Sequence, residues 1–120
     1  MNQPSTAAVL EALANVGIVV GSAATAKHPE YCKDVDVVIP SGRHFFGPLY
    51  EWRTFLDSSI TGHLVVRADP VLVEVFEDRI GVLIKDPIKR KVLAYTTLRN
   101  KCQWKELFGV RIRCYVHLQK

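Results

Sequence analysis

Cysteines and long apolar runs are scarce in this chain. The three cysteines, Cys32, Cys102 and Cys114, show neither CxxC nor Cys/His ligand spacing, so the pattern indicates neither a disulfide framework nor a structural zinc site. No apolar run approaches the roughly 20 residues of a membrane-spanning helix, and residues 1–8 lack the basic start and apolar stretch of a secretory signal. We therefore expect a cytoplasmic protein without a membrane partner.

The chain also lacks internal repeats, low-complexity segments and recognisable linkers. Its 120 residues, 48% hydrophobic and 23% charged, have the composition of an ordinary globular protein. That length is sufficient for one compact domain with a hydrophobic core, but not for a catalytic domain joined to a full substrate-recognition domain. We expect a single domain over residues 1–120.

Acidic residues are scarce in the last third of the chain. Residues 1–84 contain 6 Lys/Arg and 10 Asp/Glu, a net charge of −4, whereas residues 85–120 contain 10 Lys/Arg and 2 Asp/Glu, a net charge of +8. This basic C-terminal third indicates either a polyanionic partner or a solvated positive face. Arg111 and Arg113 in an alternating segment, and Lys89 and Arg90 in a basic run, are candidate contacts to nucleic acid or another acceptor.

Hydrophobic periodicity predicts a mixed α and β (α+β) fold, a small mixed sheet with flanking helices. The expected elements are a helix that begins near Ser5 or Thr6 and stops at Gly17, strands over 18–20 and 34–39, a helix from Pro48 to about Asp57, strands over 63–67 and 71–77, a hairpin reversal into 80–84, a short helix over 102–108 and an alternating strand over 110–118. Residues 85–98 fit either a helix or a strand.

Two carboxylates begin the second predicted strand. Because alternate residues of a strand point to one face, Asp34 and Asp36 present their carboxylates side by side. Such a pair repels itself unless a cation lies between the groups, and hard oxygen ligands suit Mg²⁺. Gly21-Ser22, at the end of the preceding strand, offers backbone N–H groups and a hydroxyl to phosphate oxygens. The combination predicts metal-assisted phosphoryl or nucleotidyl transfer; the alternative is a polar, solvated strand end.

The segment Val19-Val20-Gly21-Ser22, a gap of eleven residues, and Asp34-Val35-Asp36-Val37-Val38 resemble the signature of the polymerase-beta-like nucleotidyltransferase superfamily. The resemblance covers roughly residues 6–77 and implies a nucleotidyltransferase-like fold in a minimal, single-domain member. It also implies a third carboxylate inside an apolar run of a later strand, which Glu74 fits best. The alternative for Glu74 is a surface acid that forms a salt bridge with Arg67 or Arg79.

The resemblance implies a catalytic and metal-binding role for three acids. Asp34 and Asp36 would bind two Mg²⁺ (or Mn²⁺) ions, and Glu74 would bind the metal that activates an acceptor hydroxyl and would accept its proton. The implied reaction transfers a nucleoside monophosphate from a nucleoside triphosphate to a hydroxyl of a nucleic acid, protein or small molecule. The alternative function is a non-catalytic module of the same fold that binds nucleic acid or regulates a partner.

The resemblance also implies a nucleotide-binding role for residues on either side of the eleven-residue gap. Gly21 and Ser22 would hold the triphosphate, although Ser22 could equally be a helix N-cap. Because no arginine follows soon after them, Lys27 or Lys33 would be the phosphate-binding cation. Nucleoside triphosphate is the expected ligand; nucleic acid, a partner protein and self-association are left open.

Tryptophans and histidines give no separate functional signal. Trp52 and Trp104 occur at helical spacing with other apolar residues, which predicts that both belong to the core. His28, His44 and His63 show no HExxH or similar metal-ligand spacing.

Overall fold

The apolar stretches of the chain form strands, and short helices lie between them. The computed structural model describes residues 2–40, 47–60, 63–77, 84–85, 92–93 and 95–116. The helices are α1 (Thr6–Leu13), α2 (Ser22–Thr25) and α3 (Tyr95–Lys101), with 3₁₀ helices at Pro29–Tyr31 and Gly47–Phe55. The strands are β1 (Ile18–Val20), β2 (Asp34–Ile39), β3 (Leu56–Ile60), β4 (His63–Val66), β5 (Leu72–Glu77), β6 (Ile84–Lys85), β7 (Val92–Leu93), β8 (Gln103–Leu107) and β9 (Val110–Cys114).

Seven of the described strands form one mixed sheet in the order β3-β4-β5-β2-β1-β9-β8. The pairs β2–β5 and β1–β9 are parallel, and the other neighbours are antiparallel. Strands β6 and β7 pair separately with each other. The expected mixed α and β class, a sheet with flanking helices, is therefore confirmed.

Local chemistry fixes the start of helix α1 and the path of the chain from this helix into β1. The Ser5 hydroxyl caps its N-terminus by accepting a hydrogen bond from the Ala8 N–H at 3.0 Å. After the helix, Gly17 lies so close to the sheet that a Cβ there would come within 2.6 Å of a Val37 methyl carbon. A side chain at this position would push helix and sheet apart, so only glycine allows the chain to enter β1 here.

The two faces of the sheet bury different sets of residues. On the first, here the α1 face, helices α1 and α2 and the second 3₁₀ helix cover the main core, which includes Val19, Val37 and Val75. On the opposite face, here the α3 face, Tyr95 and Leu98 of α3 cover a smaller cluster. Because α3 covers only that part, side chains at the β2–β5 end of the α3 face stay partly accessible. The site described below lies there.

The helix predicted over 102–108 is wrong. Residues Gln103–Leu107 form β8, which pairs antiparallel with β9, and the helix, α3, precedes it. The turn between the two strands has positive φ at Phe108 and Gly109 (52° and 77°). Pairing with the clearly alternating β9 decides the conformation of this segment, which has no strong preference of its own.

The segment after Pro48 also differs from expectation. The predicted helix is the 3₁₀ helix Gly47–Phe55, and it leads into strand β3, which was not anticipated. The hairpin reversal predicted into 80–84 lies outside the described residues except for Ile84, which belongs to β6. Along the described part of the chain, no helix has the length and apolar character needed to cross a membrane.

Candidate metal centre

Three carboxylates meet where the parallel strands β2 and β5 lie side by side. Asp34 and Asp36 alternate with Val35 and Val37, which are buried in the main core, so both aspartates lie on the α3 face. The register places Glu74 of β5 directly opposite Asp36. One carboxylate oxygen from each acid lies within 4.8 Å of those of the other two. The fold therefore brings together the three acids that the sequence singled out.

Burial and mutual repulsion make these carboxylates hard to ionise together. Desolvation by burial, followed by the negative charges of Asp34 and Glu74, raises the pKa of Asp36 from 3.8 to about 7. Burial and then the charge of Glu74 likewise raise the pKa of Asp34. A positive charge placed among the three groups would reverse this effect, since it would favour the ionised form of each.

The donor atoms fit a hard divalent cation. All three residues offer carboxylate oxygens, the ligands that Mg²⁺ and Mn²⁺ prefer. Oδ1 of Asp36 is also buried and accepts no hydrogen bond from any residue in the described ranges. A buried acceptor without a donor is unfavourable, so a cation beside this oxygen would satisfy it. Asp34, Asp36 and Glu74 are thus the residues that would hold Mg²⁺ or Mn²⁺.

Gly21 lies directly beside the carboxylates. It follows Val20, which is the register partner of Asp36, and its backbone has φ 73° and ψ −154°, a conformation that side-chain-bearing residues avoid. A Cβ at this position would lie 3.3 Å from Oδ2 of Asp36. Glycine therefore serves two purposes: it allows the turn and it leaves open the space next to the acid.

Ser22 begins helix α2 and is exposed at the same end of the sheet. The alternative prediction that Ser22 is a helix N-cap is wrong, since Gly21 occupies the cap position and Ser22 is the first helical residue. Helix α2 is bound to strand β8 by a hydrogen bond, because Lys105 donates from Nζ to the Ala24 carbonyl oxygen at 2.7 Å. This hydrogen bond therefore connects helix α2, which begins at the Gly21-Ser22 turn, to strand β8.

The two candidate lysines differ in their relation to the acids. Lys33 precedes β2 and is exposed, and its charge lowers the pKa of Asp34, although burial and Glu74 outweigh this effect. Lys27 is exposed between α2 and the first 3₁₀ helix, and it forms no ion pair with the three acids in the described part of the chain. Of these two lysines, Lys33 is therefore the one whose charge affects the pKa of an acid of the site.

His63 contacts the third acid, and sequence reasoning missed it. Nε2 of His63 lies 3.1 Å from Oε1 of Glu74, and the imidazole stacks on the Phe76 ring with centroids 4.6 Å apart. The expected partner of Glu74, Arg67, instead pairs with Asp57 at 3.3 Å, so that alternative is wrong. Arg79, the other alternative, lies outside the described residues.

The sequence feature that could have identified the contact between His63 and Glu74 was the pairing of two apolar runs. The runs over 63–67 and 71–77 were both predicted, and in the sheet they become the antiparallel neighbours β4 and β5. Their register pairs His63 with Phe76 and Val65 with Glu74, and it depends on the path of residues 67–71. A shift of one residue would place His63 on the other face, so sequence alone could not give this contact.

Arg111 and Arg113 lie away from the acids. Both belong to β9, which β1 separates from β2, and their guanidiniums lie 5.5 and 4.4 Å from the Trp104 ring centroid. Trp104 is 44% exposed on the edge strand β8, so its expected core position is wrong, whereas Trp52 does pack against the main core. The candidate contacts Lys89 and Arg90 lie outside the described residues.

Comparisons of the chain with models of protein families, with curated proteins and with solved structures found no match. What the carboxylate site does is therefore inferred from its own geometry and charge.

Proposed function

We propose that this protein is a metal-dependent nucleotidyltransferase with a nucleotidyltransferase-like fold. Asp34, Asp36 and Glu74 hold Mg²⁺ or Mn²⁺, and a nucleoside monophosphate passes from a nucleoside triphosphate to a hydroxyl acceptor. The observation that carries the proposal is the convergence of three carboxylates within 4.8 Å on adjacent parallel strands, beside a glycine turn. Raised pKa values in a partly accessible group of acids are typical of functional sites.

The chain's own residues contribute positioning and proton acceptance. A bound divalent cation supplies neutralisation of phosphate charge and acidifies a coordinated hydroxyl. Gly21 leaves room for phosphate oxygens next to Asp36, and the exposed Ser22 hydroxyl donates a hydrogen bond to one of them. Glu74 accepts the proton of the acceptor hydroxyl, whose oxygen then bonds to the α-phosphorus as the bond to pyrophosphate breaks. Lys33, immediately before β2, partly offsets the negative charge of Asp34.

Nucleotide label transfer tests the proposal. The full chain is incubated with Mg²⁺ or Mn²⁺, candidate acceptors, and each nucleoside triphosphate labelled at either the α- or the γ-phosphate. Transfer of the α-label but not of the γ-label to an acceptor is expected, because pyrophosphate is the leaving group. Asp34→Asn and Asp36→Asn should abolish transfer, whereas Asp57→Asn, a carboxylate exchange on β3 outside the site, should not. Absence of α-label transfer to every acceptor class would contradict the enzyme proposal.

A second candidate function, a nucleic-acid-binding module, is supported by a different surface. Trp104 is exposed beside two arginines on the α3 face, and residues 95–116 contain five Lys/Arg against one acid. Exposed aromatic rings and guanidiniums are the groups that hold bases and phosphates of single strands. Arg113 also donates to the Asn15 carbonyl oxygen at 3.2 Å, which fixes one of the two guanidiniums.

Fluorescence anisotropy with single-stranded oligonucleotides tests this second function. Binding that weakens steeply with salt, is reduced in Trp104→Ala and in Arg111→Gln, and is unchanged in Asp34→Asn is expected for it. Arg53→Gln, an exposed arginine elsewhere, is the matched control. If the oligonucleotides do not bind, or if Arg53→Gln weakens binding as much as Arg111→Gln, this surface has no specific role.

A further inference from the structure

The histidine next to Glu74 is held in place from two sides. His63 is the first residue of β4, and backbone pairing sets it opposite Phe76 of β5. Its ring lies nearly parallel to the Phe76 ring, with an interplanar angle of 3° and centroids 4.6 Å apart. Only 15% of the His63 side chain is exposed. Strand pairing, ring stacking and burial therefore restrict the imidazole to an orientation in which Nε2 lies 3.1 Å from Oε1 of Glu74.

Of the three acids, Glu74 has the side chain with the most rotational freedom. Asp34 and Asp36 reach the site on short side chains, but Glu74 has one more rotatable bond, and 25% of its side chain is exposed. A flexible carboxylate loses rotational freedom when it binds a cation, and this loss weakens binding. A hydrogen bond that fixes the carboxylate beforehand reduces that loss.

We propose that His63 is a positioning residue: its Nε2–H donates to Oε1 of Glu74 and holds this carboxylate ready for a divalent cation. The inference rests on the proposed function, because it takes Glu74 as a ligand. A carboxylate that binds a cation is ionised and only accepts hydrogen bonds, so Nε2 is the donor in the metal-binding form. Both the neutral and the protonated imidazole can provide this N–H, so the contact does not depend on the charge of His63. Hydrogen-bonded partners of metal ligands typically change metal affinity about 10- to 100-fold when removed.

Two substitutions separate the hydrogen bond from simple packing. His63→Phe keeps an aromatic ring that can stack on Phe76 but removes the donor, whereas His63→Gln keeps an N–H donor and removes the ring. His28 provides a matched control, because its Nδ1 lies 3.2 Å from Oε1 of Glu30 in an exposed histidine–glutamate pair. His28→Phe therefore repeats the chemical change at a histidine that does not contact the acid group.

Manganese binding to the full chain, followed by the electron paramagnetic resonance signal of free Mn²⁺, tests the inference. His63→Phe should weaken Mn²⁺ binding by about 10- to 100-fold, and His63→Gln should restore most of the affinity. His28→Phe should bind as the wild type does. If His63→Phe does not fold, His63→Met is the second donor-free variant, and circular dichroism confirms which variants are folded.

The outcomes distinguish the inference from the function on which it rests. If the wild type binds Mn²⁺ and a folded donor-free variant binds it equally well, His63 only packs against Phe76 and the positioning role is wrong. If the wild type itself binds no Mn²⁺, the proposed function fails and the role of His63 fails with it. If His63→Gln binds as weakly as His63→Phe, an N–H donor at this position does not restore the affinity, so the hydrogen bond does not explain the effect and the inference is overturned.

Discussion

Asp36 is the residue on which the properties of the carboxylate group depend most. It lies between Gly21 and Glu74, its pKa is raised to about 7 chiefly by burial, and its Oδ1 has no hydrogen-bond donor among the described residues. The sequence predicted the pairing of Asp34 and Asp36 from the two-residue period of a strand. It could not predict the burial of Asp36, because burial depends on how β1 and β5 flank β2.

Metal binding should depend on pH through the ionisation of Asp36. Since a metal ligand must be deprotonated, affinity for Mn²⁺ should rise by about tenfold per pH unit below pH 7 and level off above it. Titrations of Mn²⁺ at several pH values measure this slope. An affinity that does not change through this pH range would show that Asp36 is already ionised or is not a ligand.

Asp36→Asn should stabilise the metal-free protein, in a way that depends on pH. The folded-state pKa lies above the ordinary value of 3.8, so the stability from this group is present below that value and is lost as pH rises through about 7. Above pH 7 the neutral amide should therefore raise the free energy of unfolding by about 1–2 kcal/mol, after allowance for solvent screening. Urea unfolding measures it, and Asp57→Asn, which loses only an exposed ion pair, should give no stabilisation.

Gly21→Ala should affect both stability and metal affinity. The backbone conformation at Gly21 disfavours any Cβ, which costs about 1–3 kcal/mol, and the added methyl would lie 3.3 Å from Oδ2 of Asp36. Gly109→Ala separates the two effects, because Gly109 also has positive φ but has no atom within 4 Å of its Cβ position. Both variants should lose stability in thermal unfolding, and only Gly21→Ala should weaken Mn²⁺ binding. Equal Mn²⁺ binding in the two variants would contradict this use of Gly21.

Among the elements, those predicted best are strands whose side chains are buried on both faces or strictly alternate. β1 and β2 follow apolar runs and β5 follows a run that contains Glu74, so each was found close to its observed bounds; β9 alternates and begins where predicted, but it ends at Cys114 and not at 118. β8 was mistaken for a helix, because Trp104 and Leu107 are three residues apart, a spacing that also fits one face of a helix. For β8 the deciding interaction is pairing with β9, which a local pattern does not contain.

A buried hydroxyl connects helix α1 to Val71, the residue immediately before the strand that carries Glu74. Oγ1 of Thr6 donates to the Val71 carbonyl oxygen at 2.6 Å and accepts from the Val71 N–H at 2.9 Å. Thr6→Val should therefore lower the free energy of unfolding by about 1–3 kcal/mol, since it leaves two buried backbone groups unpaired. Thr6→Ser, which keeps the hydroxyl, should lose less in urea unfolding. Equal losses in the two variants would show that the methyl group, not the hydroxyl, matters here.

At the scale of the whole molecule, the three acids and the described basic residues of the C-terminal third lie on different elements. The acid group lies on β2 and β5, and the basic residues of 95–116 lie on α3, β8 and β9. Three strand spacings, about 14 Å, separate β2 from β8. Among the described residues, the basic side chains of β8 and β9 therefore lie toward the edge of the sheet opposite β3 and not among the three acids, whereas α3 packs over β1 and β2.

The sequence predicted which acids lie together better than it predicted their surroundings. Asp34, Asp36 and Gly21 could be chosen because strand alternation and a glycine turn are local properties of the chain, and Glu74 was chosen because the resemblance implies a third acid on a later strand. The contact with His63 and the exposure of Trp104 result from strand register and sheet order, which residues distant in the sequence determine together.

Direct titration of Mn²⁺ into the wild type, Asp34→Asn, Asp36→Asn and Asp57→Asn, above about pH 7, tests the metal centre most directly. We expect the wild type and Asp57→Asn to bind Mn²⁺ with the same affinity, and the Asp34 and Asp36 variants to lose binding. If the variants at Asp34 and Asp36 bind Mn²⁺ as the wild type does, the three carboxylates are not a metal centre and the proposed nucleotidyl transfer is wrong.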